Sequence, residues 1–185
     1  MKNQNTSSLL IAIFMILAAA ISRLVLYPNN FSPIIGMALF SGAVIKDKKL
    51  AFAMPLLAMF LSDLFFEFFK VDRGFYGWTQ VCNYGIYALI TWLGFYLKKV
   101  NVITVAAFSI TSSVGFYFLS NTFSYFQDLS TYHNYARNLS GYYDCMYAGL
   151  PFLQKGLPTD LVFSAILFGG YVLMEKEVYK KAISK

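Results

Sequence analysis

Residues 50–69 read LAFAMPLLAMFLSDLFFEFF. A bilayer-crossing helix needs about 20 mainly apolar residues, and this run meets that length. Two acids interrupt it. Glu67 stands one turn from the end, within reach of water and headgroups. Asp63 lies deeper, directly after Ser62 in mid-segment. A carboxylate at such depth is costly unless it meets a cation, water or several donors. The segment therefore raises two questions: how many such helices the chain has, and what meets Asp63.

Working outward, no charge occurs between Lys2 and Arg23, between Arg23 and Lys46, between Arg73 and Lys98, or between Lys99 and Asp128. A further apolar run over 157–174 carries Asp160 in its first turn. The reading is an all-α polytopic membrane domain over 1–185. Its six transmembrane helices are expected near 8–26, 32–45, 50–69, 78–97, 100–122 and 157–174. The second is short and starts at Ser32-Pro33, where proline suits a first helical turn; it is expected to tilt or to sit deep among its neighbours. Composition agrees. Of the 185 residues, 58% are hydrophobic and only 13% charged, against about 25% charged in soluble domains. That balance excludes a soluble domain and a disordered chain. Two cysteines exclude a disulfide-built scaffold.

The net charge of +6 has a direction. With the N-terminus inside, the cytoplasmic parts hold Lys2, Lys46, Lys48, Lys49, Lys98, Lys99, Lys176, Lys180, Lys181 and Lys185. The outer side holds Lys70, Arg73, Arg137 and Lys155. This positive-inside bias predicts both termini on the cytoplasmic side of the membrane. The lysines face anionic lipid and no recognition motif accompanies them, so nucleic acid is not an expected partner. The start of the chain also imitates a secretory signal, with Lys2, an apolar run and Ala18-Ala19-Ala20. Whether helix 1 is retained or cleaved stays open at this point, and Arg23 argues for retention.

The outer side is the richer one chemically. Residues 116–152 carry seven of the fourteen tyrosines, and the expected outer connection, about 123–156, is too long for a structureless loop in a compact domain. Two readings stand: an interfacial aromatic belt, or an aromatic pocket closed by short interfacial helices. Arg23, Asp63 and Asp160 all fall in the outer half. Arg23 and Asp63 make a plausible ion pair; alternatively Arg23 snorkels to the headgroups. Asp160 follows Pro158-Thr159 and also reads as an acid at a helix start. Asn29 and Asn30 sit in a stiff proline-bounded turn, either as caps or as amides at an outer mouth. Cys82 and Cys145 are both expected on the outer side, as a disulfide or as two free thiols, and Cys82 is a weak soft-metal candidate. His133 has no second histidine to form a metal site. No HExxH, phosphate loop or GxSxG occurs, so neither an enzyme nor a cofactor is expected.

These residues resemble an uncharacterised bacterial family of small multi-span membrane proteins, a domain-of-unknown-function family. The resemblance rests on Arg23 with Pro28-Asn29-Asn30-Phe31-Ser32-Pro33, on Ala38-Leu39-Phe40-Ser41-Gly42-Ala43, on Pro55 with Leu61-Ser62-Asp63-Leu64, and on Leu150-Pro151-Phe152 with Asp160-Leu161 and Leu167-Phe168-Gly169. The chain departs from that family's usual Gly-Asp at Thr159-Asp160, and its tyrosine-rich 5–6 connection is longer. The six-span plan is also similar in architecture to the S components of energy-coupling-factor (ECF) vitamin transporters. That similarity implies a small nutrient or vitamin bound near the outer face, and a separate transmembrane coupling subunit with ATPases docking on small residues of helix 1. The expected function is small-molecule binding or uptake. Its site would use Arg23, Asp63 and Asp160 as a polar floor, with Asn29 and Asn30 at the outer mouth and Trp78, Tyr142 and Tyr143 stacking on the ligand or closing over it. The alternative is a structural or assembly protein that binds another protein through its outer loops.

Overall fold

A computed structural model describes residues 5–26, 32–71, 74–75, 77–127 and 135–183, with side chains given except at 25–26 and 177–183. The described residues form six α-helices and no strand: α1 (Thr6–Leu26), α2 (Ile34–Val44), α3 (Lys48–Phe69), α4 (Trp78–Gly94), α5 (Val102–Gln127) and α6 (Leu139–Ile183). Four of them carry stretches long and apolar enough to cross a membrane: Thr6–Leu24, Lys48–Phe69, Val102–Gln127 and Leu139–Lys176. The 17 residues of α4 and the 11 of α2 fall short of the roughly 20 a straight crossing needs.

Short as it is, α2 is the hub. It touches each of the other five helices, and every residue from Ile34 to Gly42 is buried. A helix that is apolar all round belongs in an interior. Small residues let it get there. A Cβ on Gly42 would collide with the Thr91 carbonyl, and one on Gly94 would lie 2.5 Å from the Leu39 carbonyl oxygen. The α2 and α4 backbones thus cross in direct contact, the packing that small residues permit between membrane helices. Phe40 fills the space toward α6 with edge-on contacts to Phe168 and Tyr171, centroids 5.2 and 5.7 Å away.

Buried proline is accommodated in the same region. Pro55 lies inside α3 and cannot donate to the Ala51 carbonyl one turn back. Ser41 of α2 donates its hydroxyl to that oxygen at 2.7 Å, fully buried. At the lysine-rich end, Asp47 caps α3 through the Leu50 amide at 2.9 Å and Asn101 caps α5 through the Thr104 amide at 2.9 Å. There, too, Ser8 of α1 and Tyr171 of α6 both donate to Glu175 Oε1, at 2.8 and 3.3 Å. Helix α1 is tied into the bundle at both ends, as the Arg23 contacts below complete.

The main correction concerns the last third of the chain. Instead of a connection over about 123–156 and a helix over 157–174, α5 runs on to Gln127 and α6 begins at Leu139. Pro151 and Pro158 both lie inside α6. The prolines and polar residues of this stretch read as breakers, yet a helix continues through proline when neighbours absorb the disruption. Asp160 accordingly lies deep within α6, so the reading of a helix-start acid does not apply.

Candidate functional site

Two buried carboxylates organise the end of the bundle that the lysine count assigns to the outside. The first belongs to Asp63 of α3, 2% exposed. Its Oδ1 pairs with Arg23 Nη2 of α1 at 2.7 Å. Oδ2 accepts from Gln80 Nε2 at 2.8 Å and from the Tyr84 hydroxyl at 2.9 Å. Gln80 and Tyr84 are one turn apart on α4, so they present two donors on one face. Arg23 Nη1 donates to the Met59 carbonyl at 3.3 Å and to the Ser62 hydroxyl, and its guanidinium lies 5.2 Å from the Phe66 ring centroid. Gln80 Nε2 also donates to the Gly74 carbonyl at 2.9 Å. The loop is closed by Glu67, whose Oε2 accepts from the Gly74 and Phe75 amides at 3.1 and 3.3 Å. Glu67 is exposed, as expected, and through these two amides it ties Gly74 and Phe75 down beside the ion pair.

Helices α1, α3 and α4 therefore meet around one charge pair whose carboxylate has a cation and two neutral donors. Such satisfaction is what makes a buried ion pair tolerable. Its geometry is that of a clamp. Both carboxylate oxygens of Asp63 are engaged from within the fold.

The second carboxylate, Asp160 of α6, is 5% exposed and differently placed. Ser113 Oγ of α5 donates to its Oδ2 at 2.6 Å, and no cation pairs with it among the described residues. Behind it a line of hydroxyls continues: Ser113 Oγ to the Ser109 carbonyl at 3.0 Å, and Ser164 Oγ to Ser109 Oγ at 3.1 Å. In front lies a cavity of about 190 Å³. Its floor is the first turn of α2 with Ile34 and Ile35. Its walls come from Tyr87 of α4, from Phe116, Tyr117 and Asn121 of α5, and from Phe152 and Leu157 of α6. Ser32 also lines it, with a buried hydroxyl that has no partner among the described residues. Tyr87 and Phe116 stack within the wall at 5.2 Å and 17°. Asn121 is held by donation to the Tyr117 carbonyl at 2.7 Å, and the Tyr117 hydroxyl reaches the Met146 carbonyl at 2.6 Å.

The anticipated site residues thus separate. Arg23 and Asp63 form the clamp, while Asp160 lines the cavity. Trp78 is 66% exposed at the start of α4 and Tyr143 is 63% exposed on α6. Tyr142 hydrogen-bonds the Thr122 hydroxyl at 3.0 Å and packs edge-on against Tyr125, which seals the α5–α6 contact. None of these three lies in the cavity wall. Asn29, Asn30 and His133 lie outside the described residues. Cys82 is half-buried and Cys145 buried, and both are free thiols; no group of three or more metal-ligating side chains occurs among the described residues. Gln80, Tyr84, Ser113, Ser32 and Asn121 were not singled out from the sequence. The available signal was modest: neutral polar residues inside otherwise apolar helices, one turn apart in the case of Gln80 and Tyr84.

A wider groove of about 620 Å³ lies between the start of α5 and the end of α6, with mostly aliphatic lining such as Val102, Val105 and Leu173; it is the kind of surface that lipid tails cover. No curated protein and no solved structure matches the chain. A family model, described as a family of unknown function (DUF6580), matches residues 2–182, so the chain belongs to that family, in keeping with the multi-span resemblance carried by Arg23, Ser62-Asp63 and Asp160-Leu161.

Proposed function

We propose that the protein is a small-molecule binding or uptake component of a bacterial inner membrane, S-component-like, with six membrane-embedded helices and both termini cytoplasmic. The single observation that carries this reading is the cavity above α2, into which a buried carboxylate faces without a cation from the described residues. Ligand sites in membrane bundles combine apolar walls with a few convergent polar groups, and an ionisable residue at membrane depth points to function by default. The recess lies at the end of the bundle opposite Lys46, Lys48, Lys49, Lys98 and Lys99, which is consistent with loading from outside. The short α2 spans part of the bilayer and is shielded on all sides by its neighbours. Transport, as distinct from binding, would require reorientation or a coupling subunit with ATPases. For such a partner α1 offers an exposed stripe of Leu10, Phe14, Leu17 and Ile21, with Ala18 on the same side.

The test is purification of the full chain in lipid nanodiscs, mass spectrometry of whatever accompanies it, and thermal shift against a panel of vitamins and small nutrients. A co-purifying compound or a saturable shift is expected. Absence of both contradicts the reading. A second reading, an assembly protein that holds a partner through its outer face, is favoured by the exposure of Trp78, Tyr143 and Tyr147 around that end. Substituting these three together would abolish partner capture under that reading and leave small-molecule binding intact under the first.

A further inference from the structure

The cavity's chemistry constrains its occupant. Among the described residues its lining includes one ionisable acid, Asp160, and no lysine, arginine or histidine. An anion entering it would meet like charge in an apolar surrounding, where repulsion is weakly screened. A neutral molecule would favour the protonated acid in these apolar surroundings, whereas a cation would stabilise the ionised form. Meanwhile the walls present four aromatic rings, Tyr87, Phe116, Tyr117 and Phe152. Aromatic faces beside a carboxylate are the surroundings that attract organic ammonium groups. An inorganic cation draws on oxygen ligands alone and would make no use of these walls. The volume of about 190 Å³ lies below the roughly 300–1,000 Å³ of sites for drug-sized ligands, which restricts the occupant to a small molecule.

We infer that the cavity takes a small organic cation, an ammonium group on an apolar or aromatic body, with the positive charge seated against Asp160. The inference rests on the ligand-binding reading above and adds the charge class of the ligand. Ser113 is a positioning residue: its hydroxyl engages Oδ2 of Asp160, a residue that lines the cavity. Phe116, stacked on Tyr87, supplies an aromatic face.

The experiment uses the full chain in phosphatidylcholine nanodiscs, which carry no net lipid charge to attract cations. Benzylammonium, benzyl alcohol and benzoate, matched in size and differing in charge, are titrated while thermal stability is followed, with sodium chloride as a further arm. Benzylammonium is expected to bind best. Asp160→Asn should weaken it at least about tenfold, the scale of a lost charge-assisted contact, and Phe116→Leu about two- to fivefold. Phe116→Leu provides an independent second variant that leaves Asp160 and its hydrogen bond in place. Preference for benzyl alcohol or benzoate overturns the cation assignment and leaves ligand binding standing. Benzylammonium binding indifferent to both substitutions overturns the assignment to this cavity. A stabilisation by sodium alone that Asp160→Asn removes overturns the organic ligand in favour of a metal ion. Failure of every probe, together with an empty nutrient panel, removes both readings at once.

Discussion

Asp63 and Asp160 are both buried acids at the same end of one bundle, and they do different things. Around Asp63, three helices each contribute to a network in which both oxygens are occupied by Arg23, Gln80 and Tyr84. Around Asp160, one serine donates, and an open cavity takes the place of further donors. Burial alone therefore does not mark a functional charge. The informative quantity is how much of its bonding capacity the fold has already consumed.

The contrast can be broken most forcefully at the clamp. Asp63→Ala leaves the Arg23 guanidinium in the interior without its counter-charge, and Arg23→Met leaves the carboxylate with neutral donors only. Either is expected to cost about 3–5 kcal/mol, read as a large fall in thermal midpoint and in the yield of monodisperse protein. If either variant unfolds like the parent chain, the clamp is not structural. The double replacement, Arg23→Met with Asp63→Ala, should be more stable than either single variant, because it removes both charges together. A double-mutant cycle with zero coupling would contradict the pairing.

Smaller effects sharpen the same comparison. Tyr84→Phe deletes one donor to Asp63 and is expected to cost about 1.5–3 kcal/mol, the scale of a hydrogen bond to a charged group. Asp160→Asn should change stability by less than about 1 kcal/mol, since the amide oxygen still accepts from Ser113 and no paired cation is orphaned. Equal losses from Tyr84→Phe and Asp160→Asn, or a larger one from the latter, would mean that Asp160 belongs to the structural core.

How far the sequence reveals this arrangement depends on the kind of signal. Six helical segments are legible because charge is excluded from the runs that form them, and the starts and stops of α1 and α3 lie close to the expected positions. The Arg23–Asp63 pair is legible for a related reason: two opposite charges stranded in apolar helices at similar depth have few other partners. Gln80 and Tyr84 escaped because neutral polar side chains are common in such helices, and only packing shows which carboxylate they meet. The course of α6 through Pro151 and Pro158 escaped because local backbone chemistry argues for a break, whereas tertiary contacts sustain the helix. Asp160 was singled out for its charge. Its cavity was not, because its lining comes from four helices and from residues far apart in the chain, Ser32 to Asp160, which only packing brings together.

The most direct test compares ligand-induced stabilisation across three forms of the full chain in nanodiscs: the parent, Tyr84→Phe and Asp160→Asn, each titrated with benzylammonium. The account predicts that Tyr84→Phe starts from a lower midpoint yet keeps its full ligand-induced shift, because its defect lies in the clamp. Asp160→Asn should start close to the parent and lose the shift. The opposite pattern, an intact shift in Asp160→Asn or its loss in Tyr84→Phe, would contradict the division of labour between the two aspartates.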